Sequence, residues 1–166
     1  MATLFGYGTL SIPEIVACLT GEVLPTVPGT ARGYASFRMK GRAYPGIIAD
    51  PRGFTEGVLY EDLPPAVLEL FNAYEDDLYE TTLVPVATST RIVQAISYVI
   101  PKERRKLLSN DPWDPQQFME RHGKRYLRMC RKFRACFIRD YPNLAHSRAP
   151  RAKLRDHRIP DSGFRT

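Results

Sequence analysis

Two short stretches of this sequence combine residue types that could do chemistry. The first is Tyr7-Gly8-Thr9-Leu10. A glycine that ends a short strand just ahead of a helix start points several backbone N–H groups at one spot. Such a spot holds a carboxylate or stabilises an oxyanion. The same four residues also fit a plain turn with a helix cap. The second stretch is Tyr74-Glu75. Glu75 stands one place past Tyr74 and four past Phe71 on an apolar helical pattern, so its carboxyl can face inward. A carboxyl partly withdrawn from water has a raised pKa and can move protons near neutrality. Glu75-Asp76-Asp77 also fits a solvated helix end. Three acids at a helix C-terminus oppose the macrodipole, and that local cost hints at a use for one of them.

Other routes to catalysis are poorly supplied. His122 falls on the apolar stripe of a helix and reads as a packing residue, while His146 and His157 fall in a polar stretch near the C-terminus. Cys18, Cys130 and Cys136 are odd in number and form no Cys-x-x-Cys pair, which argues against both a disulfide framework and a zinc site. They read as free thiols in a reducing cytoplasm. No Gly-x-x-x-x-Gly-Lys or Gly-x-Ser-x-Gly is present, and Gly6-Tyr7-Gly8 begins a Gly-x-Gly-x-x-Gly that nothing continues. The expectation is chemistry without metal or cofactor, with acid–base work left to carboxylates.

The elements that must position these residues follow from periodicity. Residues 3–7 read as a short buried strand. Thr9 or Ser11 caps a helix carrying Pro13 in its first turn and Ile12, Ile15, Val16 and Leu19 as its stripe, closed by Thr20-Gly21. Three strands are expected over 29–39, 42–50 and 53–60, cut at Pro45-Gly46 and Pro51-Arg52-Gly53. Pro64-Pro65 opens a second helix with Val67, Leu68, Phe71 and Tyr74 on one face. Two more strands cover 83–87 and 91–100. A third helix, or a pair of helices weakened at Gly123, covers 113–141 with Phe118, His122, Met129, Phe133 and Phe137 on its stripe. The irregular order disfavours a doubly wound sheet and predicts an α+β fold with a mostly antiparallel sheet or small barrel. One domain over 1–141 is expected, with its core in 1–100 and its C-terminal helix in 113–141, followed by a basic tail over 142–166.

The composition agrees. With 166 residues, 43% apolar and 25% charged, the chain is ordinary globular material. No apolar run approaches membrane-spanning length, and the first residues lack the basic-then-apolar order of an export signal, so a cytoplasmic protein is expected. Charge is unevenly spread. Residues 1–120 hold 10 Lys/Arg against 15 Asp/Glu, a balance of −5, whereas 121–166 hold 14 against 3, a balance of +11. Interleaved with Tyr126, Phe133 and Phe137, those cations also allow a nucleic-acid-binding surface. The reading preferred here makes the aromatics core and the charges a solvated face.

Taken in order, five segments resemble the γ-glutamylcyclotransferase-like, or AIG2-like, family, which includes the γ-glutamylamine cyclotransferases. They are Leu4 to Leu10, Tyr44-Pro45-Gly46-Ile47, Glu56 to Tyr60, Phe71-Asn72-Ala73-Tyr74-Glu75, and Tyr79 leading into Val84-Pro85-Val86. Trp113, Phe118 and His122 are a looser echo. The resemblance implies a small mixed β-barrel flanked by helices. It also implies Glu75 as the catalytic carboxylate, and a substrate site formed by Tyr7, Gly8, Thr9 and Leu10 with Tyr44 and Tyr79. This chain carries Asn72, Asp76 and Thr81 where relatives often carry Asp, Gly and Arg.

In a γ-glutamyl amide the substrate's own α-amine attacks its γ-carbonyl, giving 5-oxoproline and a free amine. Holding such an intramolecular pair in place reaches effective molarities of about 10⁵ M or more, so no protein nucleophile is required. One carboxylate acting as base and then acid suffices. The expected function is therefore amine release from a small γ-glutamyl amine, amide or peptide. A non-catalytic binding protein on the same fold is the alternative. The feature that separates the two is whether Glu75 faces a pocket beside the Tyr7–Leu10 loop. Oligomeric state is left open by the sequence.

Overall fold

In β1 (Ala2–Gly6) successive side chains take opposite sides, Leu4 packing with the helices and Phe5 with a second apolar cluster. This two-sidedness organises the chain, which the computed structural model describes over residues 1–142. With β2 (Val27–Arg38), β3 (Pro45–Leu63), β4 (Glu80–Ala87) and β5 (Ile92–Val99), β1 builds a closed barrel in the order β1-β3-β2-β4-β5. Most pairings are antiparallel. Closure is parallel, through Leu4 opposite Ile96, and β3 also meets β5 in parallel at Ile47 and Val99. The α+β fold with a small mixed barrel is as expected. Phe5, Ile47, Leu59, Val84, Val86 and Val99 fill the lumen. A five-stranded barrel has no interior space beyond its own side chains, so any ligand site must lie outside it.

Two local expectations are corrected. The strands expected over 42–50 and 53–60 are one strand, β3, which runs through Pro51-Arg52-Gly53 without ending. Arg32 pairs with Phe54 and Tyr34 with Ala49, so Asp50 to Gly53 bulge out opposite Gly33 alone. A bulge needs no ladder donor from Pro51, and Gly33 supplies the left-handed backbone, φ 86°, that the sharp twist requires. Neither Thr9 nor Ser11 caps the first helix. Thr9–Ser11 form a 3-10 turn, and α1 (Pro13–Thr20) starts after Ile12 with no side-chain cap. The Ser11 hydroxyl instead donates to the Gly8 carbonyl at 2.6 Å, and Thr9 Oγ1 shares a 2.9 Å hydrogen bond with the Tyr74 hydroxyl.

α2 (Pro65–Tyr74) opens at the proline pair and buries Leu70, Phe71 and Ala73. α3 (Pro115–Asp140) is one helix of 26 residues rather than two. Asp114 caps it by accepting the Gln117 N–H at 2.7 Å. Its buried stripe is Phe118, Tyr126, Cys130, Phe133 and Phe137, and Gly123 is buried on the same side without interrupting the helix. Met129 is only half-buried. His122 packs as expected, its ring 5.6 Å from Phe118, with burial and then Arg125 and Arg121 holding its pKa below the usual value. The tail drawn over 142–166 lies outside the described residues beyond Pro142, as do His146 and His157.

Candidate active site

A cavity of about 300 Å³ opens between the β1–α1 loop, the start of β3, the end of α2 and the flank of α3. All seven site residues expected from the sequence line it: Tyr7, Gly8, Thr9, Leu10, Tyr44, Glu75 and Tyr79. They come from four separate parts of the chain.

The loop owes its path to Gly8. A Cβ at Gly8 would stand 3.0 Å from Pro45 Cγ, so the close approach that glycine permits is to the proline that opens β3. The first bond of the following turn is Ser11 N–H to the Gly8 carbonyl at 2.9 Å, which leaves the Thr9 and Leu10 N–H groups ahead of that ladder. The buried Tyr60 hydroxyl holds the far side by donating to the Leu10 carbonyl at 2.6 Å.

Glu75 is where α2 stops. Its N–H still donates to the Phe71 carbonyl at 3.0 Å, but its backbone is extended, φ −75° and ψ 150°. The residue keeps some access to solvent through the cavity, while the surrounding protein strips much of its carboxyl's hydration. That burial first, and then the Asp76 charge, push the Glu75 carboxyl up to about 8. Its side chain makes no hydrogen bond or ion pair among the described residues. Asp76, next along, is tethered: Oδ1 accepts the Leu78 N–H at 3.0 Å and Oδ2 accepts the Tyr44 hydroxyl at 3.0 Å. Neither acid is the freely solvated helix end that the sequence also allowed. Asp77 is exposed at the rim.

Tyrosines make the walls, and their hydroxyls are committed to the protein. Tyr7 donates to the Tyr98 carbonyl at 2.6 Å, Tyr98 to Asn72 Oδ1 at 2.7 Å, and Tyr79 to the Pro45 carbonyl at 2.5 Å. Burial above all raises the pKa of Tyr7, Tyr79 and Tyr98, and the nearby Glu75 raises it further, so these phenols stay neutral. From below, Phe133 of α3 meets Tyr74 edge-on at 6.1 Å. Among the described residues no group of three or more His, Cys, Asp and Glu could hold a metal ion.

A family model described as "Gamma-glutamyl cyclotransferase, AIG2-like" matches residues 4–115. The chain belongs to this family. Relatives within and around the AIG2-like group include an AIG2-like protein C of Arabidopsis thaliana, 28% identical over 154 residues that cover 92% of this chain and 83% of that protein. A second Arabidopsis thaliana protein, Protein AIG2 C, is 26% identical and covers 77% of this chain and 78% of its own. A solution structure of an Arabidopsis thaliana protein superposes with a TM-score of 0.60 at 25% identity, covering 86% of each chain. A solved gamma-glutamyl cyclotransferase shares the fold at a TM-score of 0.50 and 15% identity, covering 92% of this chain and 90% of that one.

Within this AIG2-like site, the lining residues that the sequence did not assign to it include Arg42, Asp76, Tyr98 and Tyr126. Arg42 stands two places before Tyr44-Pro45, and that adjacency was the available signal. Tyr126 lies eight residues past Phe118 on the same helical stripe, which marks it as inward-facing. With Phe133 and Phe137 it is buried, so the three aromatics are not a surface on which bases could stack. Thr81, where relatives often carry Arg, is exposed on β4 opposite Tyr98 and does not line the cavity.

Proposed function

We propose that the cavity is the active site of a γ-glutamyl cyclotransferase that releases 5-oxoproline and an amine from a small γ-glutamyl amine, amide or peptide. One observation carries the reading. Glu75, with a carboxyl pushed up to about 8 and no hydrogen-bond partner among the described residues, faces a cavity beside the Tyr7–Leu10 loop. That arrangement favours an enzyme over a binding protein, because a binding site would gain from tethering the acid as Asp76 is tethered.

In this mechanism the ionised Glu75 takes a proton from the substrate's α-ammonium. The freed amine attacks the γ-carbonyl, and a five-membered ring closes. Negative charge gathers on the γ-oxygen, where the Thr9 and Leu10 N–H groups stabilise it. The protonated Glu75 then gives its proton to the departing nitrogen, the C–N bond breaks, and the ring nitrogen sheds its second proton to the departing amine, so that 5-oxoproline and an ammonium ion leave. Glu75 ends ionised as it began, and two protons of the α-ammonium end on the departing amine, so no cofactor enters the balance. Committed phenol hydroxyls suit this scheme, since they shape the walls without competing for the proton. Three free thiols fit a reducing cytoplasm as its location.

Assaying a panel of γ-glutamyl amines, amides and dipeptides for 5-oxoproline tests the reading. Release from at least one compound, lost in Glu75→Gln, is expected. No release from any member of the panel, or equal release by the variant, overturns it.

A further inference from the structure

Among the described residues lining the cavity, Arg42 is the one Lys, Arg or His side chain, and it shares the walls with Glu75, Asp76 and Asp77. Its position is built rather than incidental. The Arg42 N–H donates to the Met39 carbonyl at 3.2 Å, closing the turn between β2 and β3. The Arg42 carbonyl accepts Arg38 Nη1 at 3.4 Å, and Arg38 is itself held by an ion pair with Asp111 at 3.2 Å. From this turn the Arg42 charge acts on Tyr44, drawing its phenol down against the stronger upward push of burial and Asp76. Tyr44 in turn donates to Asp76, the neighbour of Glu75. One wall of the cavity therefore carries a cation and, beyond a single tyrosine, two carboxylates.

That alternation matches the head of an amino acid, whose ammonium and carboxylate hang from one carbon. If the ammonium must reach Glu75 to lose its proton, the carboxylate comes with it into a cavity lined by three acids. Like charges repel in a site partly withdrawn from water, and a guanidinium is the group that reverses the sign. We propose that Arg42 binds the α-carboxylate of the γ-glutamyl substrate and so fixes which end of the molecule lies at Glu75. This rests on the cyclotransferase reading above and sharpens it, because it frees the Thr9 and Leu10 N–H groups for the oxyanion. Arg42 is then a specificity residue: a γ-glutamyl compound with a blocked α-carboxylate is a poor substrate, whatever its leaving amine.

The experiment uses γ-glutamyl methylamide, whose sole carboxylate is the α-carboxylate, and its α-carboxamide analogue. Initial rates of methylamine release are measured for wild type, Arg42→Gln and Arg42→Lys, with melting temperatures alongside. A charge-assisted, two-pronged contact predicts that the carboxamide raises the wild-type KM by about 10²-fold. Arg42→Gln raises KM for the carboxylate substrate by a similar factor, leaves kcat within about threefold, and makes the two substrates nearly equal. Arg42→Lys, which keeps the charge and loses the fork, falls between. Methylamine release by wild type with an unchanged KM in Arg42→Gln overturns the role of Arg42 alone. So does an equal loss on both substrates, which marks a merely structural residue. If the glutamine variant does not fold, equal KM values for the two substrates in wild type overturn the assignment by themselves. No release from either compound by wild type overturns the underlying reaction and this inference with it.

Discussion

Phe5, Leu59, Val84 and Val86 fill the barrel lumen, and none of their side chains carries a polar atom. Just outside, the cavity at Glu75 is also walled by large buried and half-buried rings, but these are tyrosines, each of Tyr7, Tyr44, Tyr79 and Tyr98 spending its hydroxyl on a named acceptor. Tyr7 belongs to both regions, packed with the lumen cluster and lining the cavity. The two regions exclude water to different ends. In the lumen, burial alone stabilises the barrel. In the cavity, burial is combined with hydroxyl tethers that leave a shaped hollow and one carboxyl without a hydrogen-bond partner among the described residues. An acid in that position costs stability when ionised, and the fold tolerates the cost because the lumen next door supplies apolar burial.

This contrast is open to attack from both sides. The largest effect on stability is expected from the lumen. Leu59 is fully buried there, and Leu59→Ala should destabilise the protein by about 2–5 kcal/mol in denaturant unfolding. At low temperature, the fraction still folded should keep a near-normal kcat. A fall in kcat larger than the fall in folded fraction would show that lumen and site are not separable.

Glu75→Gln reverses the pattern. Turnover should drop by about 10² or more, because an amide carries no proton, while the fold persists. Its stability relative to wild type should depend on pH with a definite sign. The Glu75 pKa is raised from 4.5 to about 8 in the folded protein. Wild type therefore loses stability as pH rises across that window, since the folded state holds a proton that the unfolded state has released. The difference in melting temperature should move in favour of Glu75→Gln from pH 4.5 towards pH 8 and then level off. A flat difference would mean that the carboxyl is not buried in the folded protein.

A substitution at the border between the regions comes next. Gly8→Val places a side chain against Pro45, and overpacking of that kind costs about 1–3 kcal/mol. Because Pro45 also accepts the Tyr79 hydroxyl, KM should rise as well. Loss of melting temperature with an unchanged KM would make Gly8 a turn residue only. The smallest effect is expected at Asp76. The pH profile of kcat/KM should rise through a limb near 8, where free Glu75 becomes the base. Asp76→Asn removes the lesser of the two causes, so the limb should move down but stay well above the ordinary glutamate value. A limb that returns fully to that value would make Asp76, not burial, the main cause.

Much of this architecture is written in local pattern. Alternation in Leu4-Phe5, the stripe through Phe71 and Tyr74, and the stripe from Phe118 to Phe137 all follow from backbone period, which a short window of sequence contains. So does the placing of Glu75 at a helix end and of Gly8 between a strand and a turn. Local pattern misread β3, because a bulge and a chain reversal use the same Pro and Gly residues; only pairing with β2 distinguishes them. It also offered Thr9 or Ser11 as a helix cap, since the tie of Thr9 to Tyr74 spans 65 positions. The tethers of Tyr7 to Tyr98, 91 apart, and of Tyr98 to Asn72 have the same character. Arg42 joins the site through a turn held by Arg38 and Asp111, which no periodicity links. The sequence by itself determined which residues could carry the chemistry and on which elements they stand. The tertiary structure alone decided that they share one cavity, because burial, tethering and the pKa of Glu75 depend on segments brought together only when the barrel closes.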